Sequence, residues 1–516
     1  MKRAPEALRD GPFDLLILGG GITGAGVALD ASLRGFRVAL IDKGDFASGT
    51  SSVSSKLVHG GLRYLEHAEL RLVYEALHER RRLLRNAPHL VHPLRFVLPF
   101  YAGARVPPWK WRAGLLLYDL LAGRSNIARS RPLHLGDLRR AFPGLNPRGL
   151  VGGAAYFDAQ MDDARLCIEV VRTAALQGAC VANYVEAVGF EKSAGTISGV
   201  RAVDHAGGGE FVLRARQVLN ATGPWVDAVC RLAGDPGGPH LKPTKGVHLV
   251  VQDLGLSSAF LLLHPADGRV FFVIPWLGKT LIGTTDTEAA EPPDALAVTD
   301  ADVAYLLQGY NHHFQPPLER RDILGTFVGL RPLIHSAAGT PSAQTREFRV
   351  FGSASGLLSV AGGKYTTYRH MAEVITDEVA RRLGRPRRCR TRDFRLDGAP
   401  RQPWAEFEPA EVAALRRAYG LAEAPARHLV RRYGRRAAMV AAHVGRDPDL
   451  GRPIVAGEPD LRAELIYQRD HEMALFPADH LLRRTRLGLF HPNLLTGAGA
   501  PGFDRFFGTS AGGRTA

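Results

Sequence analysis

The stretch FDLLILGGGITGAG, residues 13–26, decides how the first part of this chain folds. Its first six residues form an apolar run that is typical of a buried parallel strand. Gly19, Gly21 and Gly24 then follow in the spacing G-x-G-x-x-G, and residues 22–33 carry apolar side chains at helical intervals. The first glycine permits a tight turn, the second lets the backbone approach a pyrophosphate, and the third lets helix and strand pack closely. The stretch therefore predicts a strand, a phosphate-binding turn and a helix.

The residues that follow extend this unit. Residues 37–41 predict a second strand, which ends at Asp42, 18 positions after Gly24. An acid at this place can accept hydrogen bonds from an adenosine ribose, and the N–H groups at the start of the helix can face the phosphates. The unit predicts a dinucleotide site, but the fingerprint does not separate NAD from FAD.

Composition limits the class of protein. With 516 residues and 45% hydrophobic content, the chain is expected to form two or three globular domains. The formal charge of +15 favours an anionic partner, which could be nucleic acid, an acidic membrane or a phosphorylated substrate. The spacing of the four cysteines predicts neither disulfides nor a zinc site, and no secretory signal or run of about 18 apolar residues is present. We expect a cytoplasmic protein whose membrane association, if any, is peripheral.

A loop dense in hydroxyls and glycines, SGTSSVSSKLVHGGLRYLE at 48–66, follows the second strand and can wrap a second phosphate and a flavin ring. GGGITGAG together with this loop resembles the signature of FAD-dependent glycerol-3-phosphate dehydrogenases, which belong to the D-amino-acid-oxidase-like FAD oxidoreductases. Further matches follow in family order: YFDAQMDDARL (156–166), NATGPWVD (220–227), KGVHLVV (245–251), FFVIPW (271–276), IGTTD (282–286), GLRPL (329–333), TRE (345–347) and LLSVAGGKYTTYR (357–369).

The resemblance implies an α/β fold in which a Rossmann-like FAD-binding domain is interleaved with an antiparallel substrate-binding sheet, followed by an α-helical C-terminal domain. The implied FAD-binding segments are about 13–65, 150–235 and 352–390, within a unit of residues 13–390. The implied substrate-binding segments are about 66–149 and 236–351. The resemblance also implies that residues 391–490 form the helical domain. The glycine-rich tail 491–516 diverges from the family and is expected to be partly disordered.

The residue patterns agree with that architecture. β-rich runs predict strands at 181–187, 217–220, 246–251, 269–276, 280–285, 325–330 and 358–360, with a hairpin at 277–279. Amphipathic patterns predict helices at 410–419, 424–433, 435–444 and 461–475.

The activity implied by the resemblance is oxidation of sn-glycerol 3-phosphate to dihydroxyacetone phosphate, by hydride transfer from C2 to FAD, with membrane quinone reoxidising the flavin. A base, a group that polarises the C2 oxygen, and cations for the phosphate are required. An arginine fork suits phosphate, and a histidine with an ordinary pKa near 6.5 can accept a proton at neutral pH. By motif position, the expected residues are His248 as base, Arg331 at the C2 oxygen, Arg63 and Tyr64 in substrate positioning, and Arg346 and Lys364 at the phosphate. A structural role for His248 is the alternative.

Cofactor contacts are expected from the glycine turn, the hydroxyl-rich loop and the last motif. A glycine pair ahead of a helix lets the backbone approach the flavin's pyrimidine edge. His59 is either a flavin contact or an attachment point. The expected FAD-binding residues are Gly19, Gly21, Gly24, Asp42, Thr50, Ser51, Ser52, Lys56, His59, Gly60, Val185, Gly223, Gly362 and Gly363.

Other patterns have simpler interpretations. Asp162 and Asp163 precede a helical pattern and are expected to cap it. His312 and His313 are adjacent and so point to different faces, and we expect no metal. Residues 109–112, WKWR, followed by GLLLYDLLAG, fit either a membrane interface or a buried helix of the substrate domain.

Three other functions are compatible with parts of the sequence. An oxygen-using glycerol-3-phosphate oxidase and an FAD amine oxidase share the implied fold, but Arg346 with Lys364 favours a phosphate over an amine. A flavin-bearing RNA-modification or binding protein would need an aromatic-basic RNA signature, which the sequence lacks. The expected partners are glycerol 3-phosphate and membrane quinone at the inner face of the cell membrane, without nucleic acid. Whether the chain forms a homodimer is left open.

Overall fold

The computed structural model describes residues 1–235, 240–289, 291–334 and 348–496. The strands are β1 Phe13–Leu18, β2 Val38–Ile41, β3 Leu57–Val58, β4 Val91–Tyr101, β5 Arg131–Leu133, β6 Leu150–Met161, β7 Cys180–Ala182, β8 Val185–Ser193, β9 Thr196–Asp204, β10 Glu210–Leu213, β11 Ala215–Asn220, β12 Thr244–Gln252, β13 Ala259–Leu263, β14 Val270–Trp276, β15 Lys279–Gly283, β16 Thr287–Glu288, β17 Ile323–Arg331, β18 Phe348–Gly352 and β19 Leu358–Gly362. The helices are α1 Ile22–Leu33, α2 Leu70–Asn86, α3 Pro108–Ala122, α4 Leu135–Ala141, α5 Asp163–Leu176, α6 Val226–Leu232, α7 Asp300–His313, α8 Tyr368–Arg382, α9 Trp404–Tyr419, α10 Glu423–Tyr433, α11 Ala437–Arg446, α12 Arg462–Glu472 and α13 Leu487–Phe490.

The first sheet has six strands in the order β18-β19-β11-β1-β2-β7. All neighbouring pairs are parallel except β18 with β19. Because β1 and β2 are buried on both faces, they carry near-continuous apolar runs. Leu15 and Ile17 pack on one face against α1, α5 and α8, while Leu16 and Leu18 pack on the other face against the three-stranded sheet β8-β9-β10.

One predicted strand of this region is divided in the structure. Residues 181–187 do not form one strand, because β7 ends at Ala182 and β8 begins at Val185 in the three-stranded sheet. Tyr184 between them has a φ of 57°, which an extended strand does not allow. The side chain of Asn183 bonds instead to Asp45 and to the carbonyl of Met473.

The second sheet has ten strands and is antiparallel apart from the pair β4 and β13. Its main path runs β16-β12-β15-β14-β13-β4-β6-β3, with β17 paired to β12 and β5 to β6. The predicted hairpin is present, since β14 and β15 are joined by Leu277 and Gly278, both with positive φ. This sheet and the first one together confirm the predicted α/β fold with an antiparallel second layer.

A helical C-terminal region completes the fold. Helices α9 to α12 share one apolar core, and two buried arginine–glutamate pairs, Arg165 with Glu472 and Arg436 with Glu169, join this region to α5. The helix expected at 461–475 ends at Glu472, because Met473 adopts a left-handed conformation with a φ of 53°. Among the described helices, none combines the length and apolar character needed to cross a membrane.

Acid is expected to destabilise this fold through its buried histidines. Burial lowers the pKa of several of them, including His89 and His480 to about 3, and His92 and His313 to about 4. In the unfolded chain these groups titrate near 6.5, so below pH 6.5 the unfolded state binds protons that the folded state does not. Each histidine therefore removes about 1.4 kcal/mol of stability per pH unit between 6.5 and about 4. We expect the thermal unfolding midpoint to be lower at pH 5.5 than at pH 7.5.

The substitution His89→Gln provides a control for that result. Within the described residues neither ring nitrogen of His89 has a hydrogen-bond partner, so the variant removes one titrating group with little loss of bonding. It should show a smaller drop between the two pH values than the unsubstituted protein. An unfolding midpoint that rises on acidification would contradict the assignment of these histidines as neutral in the fold.

Candidate active site

A cavity of about 500 Å3 lies where β1, β2, β11 and β19 end, beside β12 and β17 of the second sheet. The carboxyl ends of strands in an open parallel sheet are the usual place for a ligand, and this volume suits one. Its lining combines the glycine turn, the hydroxyl-rich loop and residues of the second sheet. The topology therefore brings together motifs that are far apart in the sequence.

The glycine turn forms one end of the cavity. Gly19 has a φ of 107°, and a Cβ there would lie 2.6 Å from the carbonyl oxygen of Ala221. Gly21 caps the N-terminus of α1, and the next amide, that of Ile22, donates to Ser51 Oγ at 2.9 Å. A Cβ on Gly24 would lie 1.9 Å from the Gly19 carbonyl oxygen, so Gly24 lets α1 pack on β1. The open helix N-terminus and the bare backbone fit a pyrophosphate.

Asp42 lies at the end of β2, where a ribose is expected. Its carboxylate accepts hydrogen bonds from the amides of Gly20 at 2.6 Å and Gly44 at 2.9 Å. Burial raises the pKa of this carboxyl to about 6, against the lowering effect of the two amides. Asp42 is thus ionised at neutral pH and held at the cavity wall, where it can accept hydrogen bonds from ribose hydroxyls.

The cavity brings together most of the residues expected to bind cofactor. Those that line it are Gly19, Gly21, Asp42, Thr50, Ser51, His59, Gly223, Gly362 and Gly363. Those that do not line it are Gly24, Ser52, Lys56, Gly60 and Val185. Val185 donates its amide to the Asp42 carbonyl oxygen at 2.8 Å, and the next two residues, Glu186 and Ala187, line the cavity in its place.

Lys56 stabilises the loop of residues 48–66 from the protein interior and does not line the cavity. Its Nζ lies 2.9 Å from both carboxylate oxygens of Asp163 and 2.6 Å from the carbonyl oxygen of Ser52. Burial lowers the pKa of this lysine to about 8, while Asp163 opposes that effect. Gly60 is similarly internal, since its amide donates to the Tyr118 hydroxyl at 2.9 Å.

Four of the residues expected to act on substrate also line the cavity: Tyr64, His248, Arg331 and Lys364. Lys364 Nζ lies 3.6 Å from the centre of the Tyr64 ring, a short cation–π contact. Arg63 does not line the cavity, and its guanidinium lies 5.3 Å from the centre of the same ring. Arg346 lies outside the described residues.

The guanidinium of Arg331 is held in place at the end of β17. Its Nη1 lies 3.0 Å from Asp286 Oδ1, while Nη2 donates to Thr284 Oγ1 at 2.8 Å and to the Thr285 carbonyl at 3.0 Å. A Cβ on Gly246 would lie 2.4 Å from Nη2, so a larger residue there would displace the guanidinium. A cation fixed in this way can meet a substrate oxygen without further ordering.

His248 is buried in β12 and stacks on Phe327, with ring centres 4.7 Å apart. Its Nε2 lies 2.9 Å from Ser55 Oγ, and among the described residues Nδ1 has no hydrogen-bond partner. Burial, then Lys56 and Arg331, hold its pKa well below the ordinary value. The imidazole is therefore neutral at pH 7, which is the form that can accept a proton.

Several residues of the site were not singled out from sequence. Ser55, Thr284 and Asp286 contact His248 or Arg331 directly. These residues lie within the motifs at 48–66 and 282–286, but nothing in the local sequence pattern shows which hydroxyl or carboxylate contacts a distant side chain. Asp162 caps α5 as expected, accepting from the Arg165 amide, whereas Asp163 also binds Lys56.

A second group of titratable residues lies in the helical region. His428, Asp460 and Glu464 offer ligand atoms within 4.8 Å of one another. Arg432 is ion-paired to both carboxylates, and the pKa of His428 is raised by the same two acids against its burial. The group is a charge-compensated ion-pair network.

His313, one of the two adjacent histidines near the end of α7, bonds to the Leu263 carbonyl.

Comparison with known proteins places the chain in a family. Residues 14–369 match the family described as FAD dependent oxidoreductase, and residues 389–498 match the C-terminal domain of alpha-glycerophosphate oxidase. A glycerol-3-phosphate dehydrogenase of Synechocystis sp. is 38% identical over 510 residues, covering 95% of this chain and 91% of the relative. The aerobic glycerol-3-phosphate dehydrogenase of Staphylococcus saprophyticus is 36% identical, covering 93% and 87%.

A solved structure agrees with these matches. The glycerol-3-phosphate dehydrogenase of Bacillus halodurans, complexed with FAD, superposes with a TM-score of 0.79 at 32% identity, covering 95% of this chain and 89% of that one. Both the sequence relatives and this structure extend over the sheets and the helical region, and the family match spans every segment that lines the cavity. The chain therefore belongs to the FAD-dependent oxidoreductase family and, within it, to the glycerol-3-phosphate dehydrogenases.

Proposed function

We propose that the protein oxidises sn-glycerol 3-phosphate to dihydroxyacetone phosphate and passes the electrons to membrane quinone. The observation that carries the proposal is that one cavity is lined by a dinucleotide-binding turn and also by a neutral histidine and two cations, Arg331 and Lys364. FAD, when bound, accepts the hydride that leaves C2 of the substrate. The protein must then bind the phosphate, take the hydroxyl proton and stabilise the new carbonyl oxygen.

Each of these tasks has a matching side chain. The neutral imidazole of His248 accepts the proton of the C2 hydroxyl, and Ser55 orients the ring through Nε2. Arg331, held by Asp286, donates to the C2 oxygen as it becomes a carbonyl. Lys364, beside Tyr64, binds the phosphate, together with Arg346 as the resemblance implies.

Anaerobic mixing of the purified holoenzyme with glycerol 3-phosphate tests this proposal. Bleaching of the flavin absorbance at submillimolar substrate is the expected result, because the two-electron product is reduced flavin. Glycerol and glycine serve as controls that lack the phosphate or replace the alcohol with an amine. Bleaching by glycine alone would support the amine oxidase, and no bleaching by any of the three would refute the proposal.

The proposed acceptor requires contact with a membrane, and α3 offers a surface for it. Trp109, Leu116 and Leu120 are 70%, 71% and 76% exposed and lie on one face of the helix. Lys110 and Arg112, both exposed, flank this face. An aromatic and aliphatic stripe with basic neighbours suits a bilayer surface that carries anionic headgroups. We place the protein at the inner face of the cell membrane.

The opposite face of α3 contacts the chain next to a residue that lines the cavity. Tyr118 is buried, and its hydroxyl accepts from the Gly60 amide at 2.9 Å and bonds to Asp158 at 2.9 Å. Gly60 follows His59, which lines the cavity. The exposed stripe is thus about one helix diameter, roughly 10–12 Å, from the loop that lines the flavin site. This proximity favours electron transfer to a quinone in the adjoining bilayer.

Removal of the stripe is expected to weaken membrane attachment. The triple variant Trp109→Ser, Leu116→Ser, Leu120→Ser should pellet several-fold less with anionic vesicles than the unsubstituted protein, because three exposed apolar side chains no longer enter the interface. Binding should also fall from 0.1 M to 1 M salt, as the screening length shortens from about 10 Å to about 3 Å. Cosedimentation measures both effects.

A matched control uses apolar residues that are exposed elsewhere. Val151, Leu176 and Met439 are about half exposed and lie outside α3, so their replacement by serine should leave vesicle binding unchanged. Equal losses in both triple variants would exclude α3 as the attachment surface.

Reduced enzyme should also pass electrons faster to a short-chain quinone than to oxygen. The opposite order of rates would favour the oxygen-using oxidase.

A further inference from the structure

A short arginine-rich turn links the helical region to the cofactor cavity. The turn, residues 479–486, begins with the π-helical segment Asp479–Arg484 and ends just before α13. Arg484 and Arg486 are buried, with side chains 0% and 1% exposed, and both point into the FAD-binding part of the chain. We refer to residues 479–486 as the arginine turn.

Arg483 and Arg484 hold the loop that follows β2. Both carboxylate oxygens of Asp45 bond to the Arg484 guanidinium, and Arg483 Nε donates to Asp45 Oδ2 at 2.5 Å. Asp45 lies three residues after Asp42, and the Ala47 amide bonds to the Gly20 carbonyl in the glycine turn. The two arginines therefore fix the loop that presents Asp42 to the cavity.

Arg486 holds the second cofactor loop, residues 50–56. Its guanidinium bonds to Asp162 Oδ1 at 2.8 Å and 3.0 Å and also to Asp163. Asp163 in turn accepts from the amide and hydroxyl of Ser54, at 2.9 Å and 2.6 Å, and from Lys56. Ser51, Ser54 and Ser55 of this loop line the cavity.

The second loop also reaches the proposed base. Ser55, next to Ser54, bonds to His248 Nε2. Arg486 has a φ of 71°, a left-handed conformation that is uncommon for a residue with a side chain. Such a conformation persists only where the surroundings determine it, and here the buried contacts of the guanidinium do so. The chain of contacts runs from Arg486 through Asp163 and Ser54 to the loop that orients His248.

Buried ion pairs of this kind contribute little net stability, because the desolvation of both charges offsets their attraction. They do fix geometry, since a planar guanidinium bonds two oxygens at once. In this molecule the two loops held by the arginine turn both contribute residues to the cavity wall. The arrangement thus specifies the shape of the cofactor site.

We propose that Arg484 and Arg486 are positioning residues for the reaction: they hold the two loops in the geometry that binds FAD, and Arg486 orients His248 through Asp163. This inference rests on the proposed function and deepens it, because it assigns the helical C-terminal region a part in the cofactor site. It predicts that cofactor affinity depends on side chains more than 300 positions from the loops they hold.

Arg486→Met, which removes the charge at similar length, tests the proposal. We expect the dissociation constant for FAD, measured by fluorescence titration of the apoprotein, to rise at least about tenfold, because small displacements of a binding loop are costly. The visible spectrum of the bound flavin should also shift. Arg486→Lys, which keeps the charge but loses the fork, should recover part of the affinity.

Arg436→Met is the matched control. Arg436 is similarly buried and pairs with Glu169 across the same boundary, but the side-chain partners of Glu169, Gly398 and Arg436, do not line the cavity, whereas Asp163 bonds to Ser54, which does. Arg436→Met should lower the unfolding temperature without changing the FAD dissociation constant or the flavin spectrum. The same outcome for Arg486→Met would overturn the proposal by showing a purely structural role.

Should Arg486→Met fail to fold, Arg486→Lys decides the question. An FAD dissociation constant and flavin spectrum equal to those of the unsubstituted protein would overturn the proposal, and a weakened affinity would support it. FAD titration does not involve glycerol 3-phosphate. A failure of the proposed substrate would therefore appear as absent bleaching in the unsubstituted protein, with its FAD affinity intact.

Discussion

Gly21→Val should give a folded protein that no longer retains FAD on purification. Gly21 is the N-cap of α1 and lines the cavity, and a Cβ there would already lie 3.1 Å from Ser51 Oγ. The branched side chain must extend into the space where backbone meets pyrophosphate. Overpacking costs about 1–3 kcal/mol, and each lost hydrogen bond to a charged phosphate about 1.5–3 kcal/mol. The FAD dissociation constant should therefore rise roughly 100-fold or more.

The absorbance ratio of flavin to protein and a fluorescence titration measure this effect. Gly114→Val is the control, because Gly114 lies in α3, where no atom within 4 Å would meet the added Cβ. It should retain flavin at the level of the unsubstituted protein. Full flavin content in Gly21→Val would show that the glycine turn is not the pyrophosphate site.

The sequence predicted this part of the fold because its signals are local. The strand, the glycine turn and the helix of residues 13–33 follow one another directly. Gly24 is required by the carbonyl of Gly19, five residues earlier, and Gly19 by Ala221, which follows the adjacent strand β11. The carboxyl ends of parallel strands meet at one edge, so Asp42 and the glycine turn had to line the same cavity. The substrate residues were identified by motif position, and four of them line that cavity.

The rest of the site depends on contacts that no local pattern encodes. Asp45 and Arg484 are separated by 439 positions, and Asp163 and Arg486 by 323. Lys56 was expected at the cofactor because it lies in the flavin loop, but Asp163 draws its ammonium group into the protein interior. A charged residue in a motif can therefore face either the ligand or the structure behind it, and only the tertiary partner decides which.

Arg331→Met should lower kcat for glycerol 3-phosphate oxidation by about 100- to 1000-fold, the usual effect of removing one donor from a developing oxyanion. The guanidinium is held by Asp286 and Thr284 at the end of β17, beside His248. Because Arg331 is one of the two cations that lower the pKa of His248, its loss should also raise that pKa. Activity is lost as pH falls through the pKa of the base, so the acid limb of the pH–rate profile should move to higher pH.

Asp286→Asn tests whether activity depends on the exact position of the Arg331 guanidinium as well as on its charge. The cation remains, but its ion pair at 3.0 Å becomes a weaker hydrogen bond, so we expect a loss of about tenfold in kcat/KM. Flavin content and unfolding temperature, measured on both variants, identify any general damage to the fold.

If Arg331→Met keeps its full kcat but binds substrate more weakly, the guanidinium stabilises the bound substrate and the transition state equally. The carbonyl oxygen must then be stabilised by another donor. Lys364, which lines the same cavity, would then be the first residue to test.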